Sequence, residues 1–205
     1  MILIYFVSGI LAGFCISCGG ILNLLIKEHL NNEGGRFIGA VVFSLGLTTI
    51  CIFKLKLYTG QVSRLFIERN EVVYIQILLM LFGNLLGAAI FGTGFHYVYD
   101  PDISKEPHTW EQWFKMCING VYCGLCVQSA VTSYATHKLY IGIPLVMFYI
   151  SLFVYSGFEH CIANMFYVSI TQEWTLRSVF GILMTIVTNA IGTLPYVLYY
   201  YNQNK

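Results

Sequence analysis

Charge is what this sequence has least of. Only 10% of its 205 residues are Asp, Glu, Lys or Arg, against about 25% in a soluble domain. The net charge is +1 at pH 7, and no cluster of Lys and Arg is dense enough to track a phosphate backbone, which excludes nucleic acid as a partner. Polar connectors are also scarce, and none is long enough to form a soluble domain. No basic n-region or small-residue cleavage site marks the apolar run that opens at Met1, so it reads as a retained first span. His-rich stretches and the HExxH pattern are both missing, and the pattern calls for no metal and no cofactor. The seven cysteines (Cys15, Cys18, Cys51, Cys117, Cys123, Cys126, Cys161) all fall in apolar runs and do not form the framework of a secreted disulfide scaffold. Two pairs, Cys15/Cys18 and Cys123/Cys126, have CxxC spacing, but small-residue helix packing explains them better than metal or redox chemistry.

What is abundant is hydrocarbon. Apolar residues make up 57% of the chain and the mean hydropathy is +0.69, which predicts a polytopic membrane protein embedded in a lipid bilayer. A helix crosses the bilayer with about 20 apolar residues. Six segments qualify, roughly 1–26, 35–53, 72–99, 109–136, 139–155 and 174–201. The fold class expected is therefore all-α, with one transmembrane domain over residues 1–205.

Two sequence echoes divide the chain. Gly9 and Gly13 in the first span are answered by Gly120 and Gly124 in the fourth, and Asn84-Leu-Leu-Gly87 in the third by Asn189-Ala-Ile-Gly192 in the sixth. Both echoes fall about 105 to 111 residues apart and in the same order, which suggests repeats over about 1–100 and 109–201. Three spans per repeat would make the halves inverted in the membrane, an arrangement that places a transport site between them at the midplane. The GxxxG pairs let helices approach closely, within the subunit or between subunits.

The second and fifth spans are each interrupted. Lys54-Leu-Lys56-Leu-Tyr58-Thr59-Gly60-Gln61 breaks one, and Ser156-Gly157-Phe158-Glu159-His160 breaks the other. Non-helical backbone at membrane depth survives only where it is buried in protein or lines a cavity. Paired breaks at matching places point to a permeation path. Glu159 and His160 follow the apolar run 141–153, and an unpaired charge at such depth costs roughly 2.5 to 3.5 kcal/mol on insertion scales.

Phe43-Ser44-Leu45-Gly46-Leu47 leading into Leu57-Tyr58-Thr59-Gly60-Gln61, together with Gly157-Phe158-Glu159-His160-Cys161-Ile162-Ala163-Asn164-Met165-Phe166, resembles the formate/nitrite transporter family of anion channels over nearly the whole chain. The resemblance implies an aquaporin-like fold, a homopentamer with one pore per subunit, and a plasma (inner) membrane location with cytoplasmic termini. By the same resemblance His160 is the central pore histidine and Thr59 the loop threonine facing it. Leu47, Tyr58 and Phe153 would be apolar constrictions, with Phe43 adding to one of them. Glu159 and Asn164 would be orienting or helix-stabilising groups. Tyr58 stands where the family usually has phenylalanine, Lys54 and Lys56 where it has small or acidic residues, His108 where it often has lysine, and Gly124 where it often has asparagine.

A small monovalent anion does not cross apolar rings while charged, because desolvation penalises it heavily. The neutral acid does. Formic, nitrous and hydrosulfuric acids become neutral on gaining one proton, and desolvation raises their pKa by disfavouring the charged form. An unperturbed imidazole titrates near pH 6.5, so His160 is the natural proton partner, while Thr59 can donate to the anion. His160 bonded to a backbone carbonyl as a core histidine is the plain alternative. Lys54 and Lys56 either attract anions or snorkel to an interface. Glu159 reads best as a carboxylate accepting backbone N–H groups at the start of the half-helix that follows, since a free negative charge opposes an anion pore. Two other functions compete: a neutral-solute pore of the aquaporin type, which lacks its paired Asn-Pro-Ala motifs here, and an intramembrane metal-dependent enzyme using His160, Glu159 and cysteines. Charge leaves orientation open, with Arg64, Arg69, Lys138 and Lys205 on one side balancing Lys27, Arg36, Lys105 and Arg177 on the other.

Overall fold

The computed structural model describes residues 2–99 and 110–203, and among these are ten helices and no strand. In chain order the helices are α1 (Leu3–Leu30), α2 (Glu33–Ile52), α3 (Tyr58–Gln61), α4 (Arg64–Ile67), α5 (Glu71–His96), α6 (Trp110–Thr136), α7 (Leu139–Ser156), α8 (Cys161–Thr171), α9 (Leu176–Gly192) and α10 (Leu194–Gln203). Side-chain caps start several of them. Asn32 Oδ1 accepts from Gly35 N at 2.9 Å, Asn70 Oδ1 from Val73 N at 3.0 Å, and Thr175 Oγ1 from Ser178 N at 3.1 Å, each satisfying an amide that the helix leaves free.

Five of these stretches are long and apolar enough to cross a membrane: α1, α2, α5, α7 and the near-continuous run of α9 with α10. The fourth expected span, α6, has 27 residues but falls short in apolarity because it carries Asn119, Gln128, Ser129, Thr132 and Ser133. Some of that polarity is satisfied inside the protein. Ser129 Oγ donates to Leu125 O at 2.7 Å and accepts from Tyr196 OH at 2.8 Å. Apolar side chains such as Leu3, Leu78, Phe82 and Leu183 face outward instead, as a bilayer permits and water does not.

Packing follows the two echoes. α1 lies against α2 and α5, and α6 lies against α7 and α9. α3 touches α5 and α6, while α8 touches α9 and α1; α2 and α7, the two broken helices, pack on each other. Most contacts of the first half thus recur in the second with α1, α2, α3 and α5 replaced by α6, α7, α8 and α9; the exception is α8, which also lies along α5, a contact that the four-residue α3 does not match against α9. The paired glycines fill the closest approaches within the chain. A Cβ on Gly13 would stand 2.2 Å from Asn84 O and one on Gly124 2.1 Å from Asn189 O, while Gly87 and Gly192 meet Ile10 O and Val121 O at 2.2 and 2.1 Å. Cys15, Cys123 and Cys126 are buried in the hydrophobic core as small packing residues.

Candidate functional site

Both breaks are built by the same turn. After α7, Gly157 takes a left-handed conformation (φ 71°) and Phe158 N donates to Phe153 O at 2.9 Å. After α2, Lys54 is left-handed (φ 54°) and Leu55 N donates to Ile50 O at 2.9 Å. These are the glycine-type helix stops in which the amide beyond the left-handed residue reaches back five positions. The first half builds that stop with a lysine.

An asparagine then holds each broken segment. Asn84 Nδ2 donates to Gly9 O at 2.9 Å and to Lys56 O at 2.8 Å, and Asn84 Oδ1 accepts from Tyr58 N at 2.8 Å. Asn189 Nδ2 donates to Gly120 O at 2.9 Å and to Glu159 O at 2.8 Å, and its Oδ1 accepts from Cys161 N at 3.1 Å. Both asparagines are fully buried. Each satisfies a carbonyl and an amide that the helix break sets free, where no water from lipid could do so. The asparagines mark the sequence repeat, but their role as clamps was not part of the sequence reading.

The clamped segments bring Thr59 and His160 together. Thr59 Oγ1 lies 2.9 Å from His160 Nε2, with Thr59 fully buried and His160 2% exposed. His160 caps α8, its Nδ1 accepting from Ala163 N at 3.2 Å. A ring nitrogen that accepts carries no proton, so the network assigns the neutral tautomer with hydrogen on Nε2, donating to Thr59 Oγ1. The Thr59 hydroxyl proton is left to point elsewhere.

Apolar rings stand beside this contact. Phe153 stacks on His160 with centroids 5.8 Å apart, and Phe43 meets Phe153 edge-on at 5.8 Å. Phe43, Phe153, Glu159, His160 and Asn164 line one cavity of about 250 Å³. Leu47 and Tyr58 are buried but do not line it; the Tyr58 hydroxyl donates to Ile186 O at 3.1 Å.

The remaining sequence expectations divide. Glu159 accepts from the Asn164 side-chain amide at 2.8 Å, and the α8 amide is capped by His160 instead, so the half-helix is started by the imidazole and the carboxylate is held one step away. Lys56 Nζ sits 5.5 Å from the Tyr5 ring centroid, and Lys56 N donates to Ser8 Oγ at 3.0 Å, which ties the lysine to α1. Lys54 is exposed. His108 and Lys105 lie outside the described residues.

Two half-helices clamped nose to nose inside an apolar bundle define a multi-pass membrane protein of the broken-helix type. Within that class the chain belongs to the formate/nitrite transporter family, whose model (Formate/nitrite transporter) matches residues 2–202. The members of this family are channels and transporters, not enzymes. The formate channel FocA of Haemophilus influenzae is 27% identical over 192 residues, covering 78% of this chain and 64% of its own length. The chain thus spans just under two thirds of that relative. Two solved structures share the fold: a pentameric formate channel with formate bound (TM-score 0.71, 20% identity, 98% of this chain and 96% of that one) and an FNT family ion channel (TM-score 0.82, 18% identity, 97% and 89%).

Proposed function

We propose that this protein is a channel for small monovalent anions of weak acids, of the formate, nitrite or hydrosulfide class, with proton coupling through His160. It works as a homopentamer with one pore per subunit, in the plasma (inner) membrane with both termini cytoplasmic. The observation that carries the reading is the Thr59–His160 contact, buried, polar and flanked by the Phe43 and Phe153 rings. Family membership and the formate channels among its relatives support the substrate class.

The anion reaching the rings loses hydration, which favours its neutral acid. The Thr59 hydroxyl donates to it. His160 lines the cavity. It takes a proton at Nδ1 from water entering with the anion, displacing the Ala163 N–H, and gives its Nε2 proton to the anion by way of the Thr59 hydroxyl. After the acid leaves, exchange with water, loss at Nδ1 and gain at Nε2, restores the starting tautomer. The neutral acid then crosses the apolar rings and releases its proton to water on the far side. Net movement is one anion with one proton.

The test is flux of formate, nitrite and hydrosulfide into proteoliposomes against pH, for the wild type and His160→Asn. The variant is expected to lose most of the proton-coupled flux and to flatten the pH profile. Unchanged flux and pH dependence would sink the proton-partner role. Uncharged solutes entering the wild type as fast as the anions would point to a neutral pore instead.

A further inference from the structure

Thr59 and His160 belong to opposite halves of the chain, and the two asparagine clamps do not by themselves bring them together. Asn84 holds the first break with bonds to Gly9, Lys56 and Tyr58, and Asn189 holds the second with bonds to Gly120, Glu159 and Cys161. Each clamp works inside its own half. Tyr58, the neighbour of Thr59, crosses over: its amide is held by Asn84 at 2.8 Å, while its hydroxyl donates to Ile186 O of α9 at 3.1 Å. Ile186 lies three positions before Asn189, whose Oδ1 holds the neighbour of His160 through Cys161 N at 3.1 Å. One turn of α9 therefore holds both neighbours of the Thr59–His160 contact. The Tyr58 ring is 4% exposed, and its hydroxyl uses the second lone pair of a carbonyl that lies inside a helix. Phenylalanine, usual at this position in the family, cannot make that bond.

We infer that Tyr58 is a positioning residue: through its hydroxyl it ties the first break to α9 and so sets the distance between Thr59 Oγ1 and His160 Nε2. The inference rests on the anion-channel reading, in which the Nε2 proton leaves by way of the Thr59 hydroxyl. Such a transfer needs the two atoms within hydrogen-bond reach, and they stand 2.9 Å apart. A small misplacement of groups that must meet in register costs rate steeply. Tyr58 acts only through Thr59, because its hydroxyl is spent on Ile186 O and its side chain does not line the cavity.

Tyr58→Phe removes the bond and little else. The ring still fills its site, and Ile186 O keeps its place in the α9 ladder, so no buried group is orphaned. The measurement is initial formate uptake in proteoliposomes, normalised to the amount of folded protein reconstituted. The rate at saturating formate falls about three- to tenfold in Tyr58→Phe, the weight of one net hydrogen bond, with KM within about twofold of wild type. In a His160→Asn background no relay is left to position, and adding Tyr58→Phe changes the rate by less than about twofold. A second readout needs no flux. In proton–nitrogen NMR spectra of histidine-labelled protein, the His160 signal is the one lost in His160→Asn, and its Nε2–H proton moves upfield in Tyr58→Phe as the bond to Thr59 weakens. A Tyr58→Phe channel with the wild-type rate, or an unmoved His160 signal, overturns the inference and leaves the channel reading intact. An equal fractional loss in both backgrounds assigns the hydroxyl a packing role and also overturns it. A wild type that takes up no formate, nitrite or hydrosulfide overturns the channel reading and this inference together.

Discussion

Removing the Asn189 side chain is the sharpest test of how the fold presents its site. In Asn189→Ala three hydrogen bonds vanish, to Gly120 O, Glu159 O and Cys161 N. Gly120 O lies within α6, so the groups orphaned by the change are the Glu159 carbonyl and the Cys161 amide. Side-chain hydrogen bonds between membrane helices average about 0.6 kcal/mol, which for three gives about 2 kcal/mol. Two backbone groups left buried and unsatisfied cost about 1 to 3 kcal/mol each, giving about 2 to 6 kcal/mol. The two routes meet near the lower figure, and the cavity left by a fully buried side chain adds to it. Asn84 makes the equivalent three bonds, so Asn84→Ala should cost about the same. The assay is thermal unfolding in detergent, where such a loss lowers the midpoint by about 4 °C or more, together with anion flux per folded molecule. Neither asparagine touches the cavity, so flux falls only because Thr59 and His160 lose their register. Midpoints within about 1 °C of wild type for both variants would refute the clamp.

Two further outcomes follow from the backbone. Gly124→Ala places a Cβ 2.1 Å from Asn189 O, which forces α6 from α9 and costs about 3 kcal/mol or more, seen as loss of monodisperse protein; Gly94→Ala meets nothing within 4 Å and gains about 0.5 to 1 kcal/mol, so equal behaviour of the two variants would contradict the packing argument. Lys54→Gly relieves the left-handed lysine at φ 54° and raises stability by about 1 kcal/mol, read as a midpoint about 2 to 4 °C higher; no gain would show that the turn stores no strain.

Much of the architecture was legible in the sequence because hydrocarbon imposes simple rules. Length and apolarity mark the spans, and the interruptions at Lys54 to Gln61 and Ser156 to His160 stood out because polar residues there disrupt otherwise apolar runs. The repeat was visible as Asn84 and Asn189, but what those residues hold was not. A clamp is a relation between Asn84 and Tyr58, 26 positions apart, and no local pattern encodes it. Lys54 was read for its charge, since lysine is not a residue that announces a left-handed turn, and its equivalence to Gly157 appears only once the two stops are superimposed in chain order. Lys27, which lines the cavity beside His160, entered the sequence reading only as one of the charges balanced across the membrane, because a lysine ending an apolar run looks the same whether it snorkels to an interface or lines a cavity. Whether the glycine pairs pack within or between subunits needed coordinates as well, and they pack within.

The choice of histidine at position 160 joins two demands that an ordinary cap would meet only singly. Helix N-caps are commonly Ser, Thr, Asp or Asn, and any of these would start α8. Histidine caps through Nδ1 and, because that nitrogen accepts, fixes its proton on Nε2, which faces Thr59 at 2.9 Å. Folding of the second break therefore sets which ring nitrogen presents its proton to Thr59 of the first. This distinguishes two variants that otherwise look alike. Asparagine at 160 retains an oxygen able to accept from Ala163 N, so His160→Asn keeps α8 and removes only the ring's chemistry. His160→Ala loses the cap as well, at about 1 kcal/mol, and should unfold roughly 2 to 4 °C below His160→Asn. If both variants unfold together, the imidazole does not start the helix, and the tautomer assigned from that bond loses its basis.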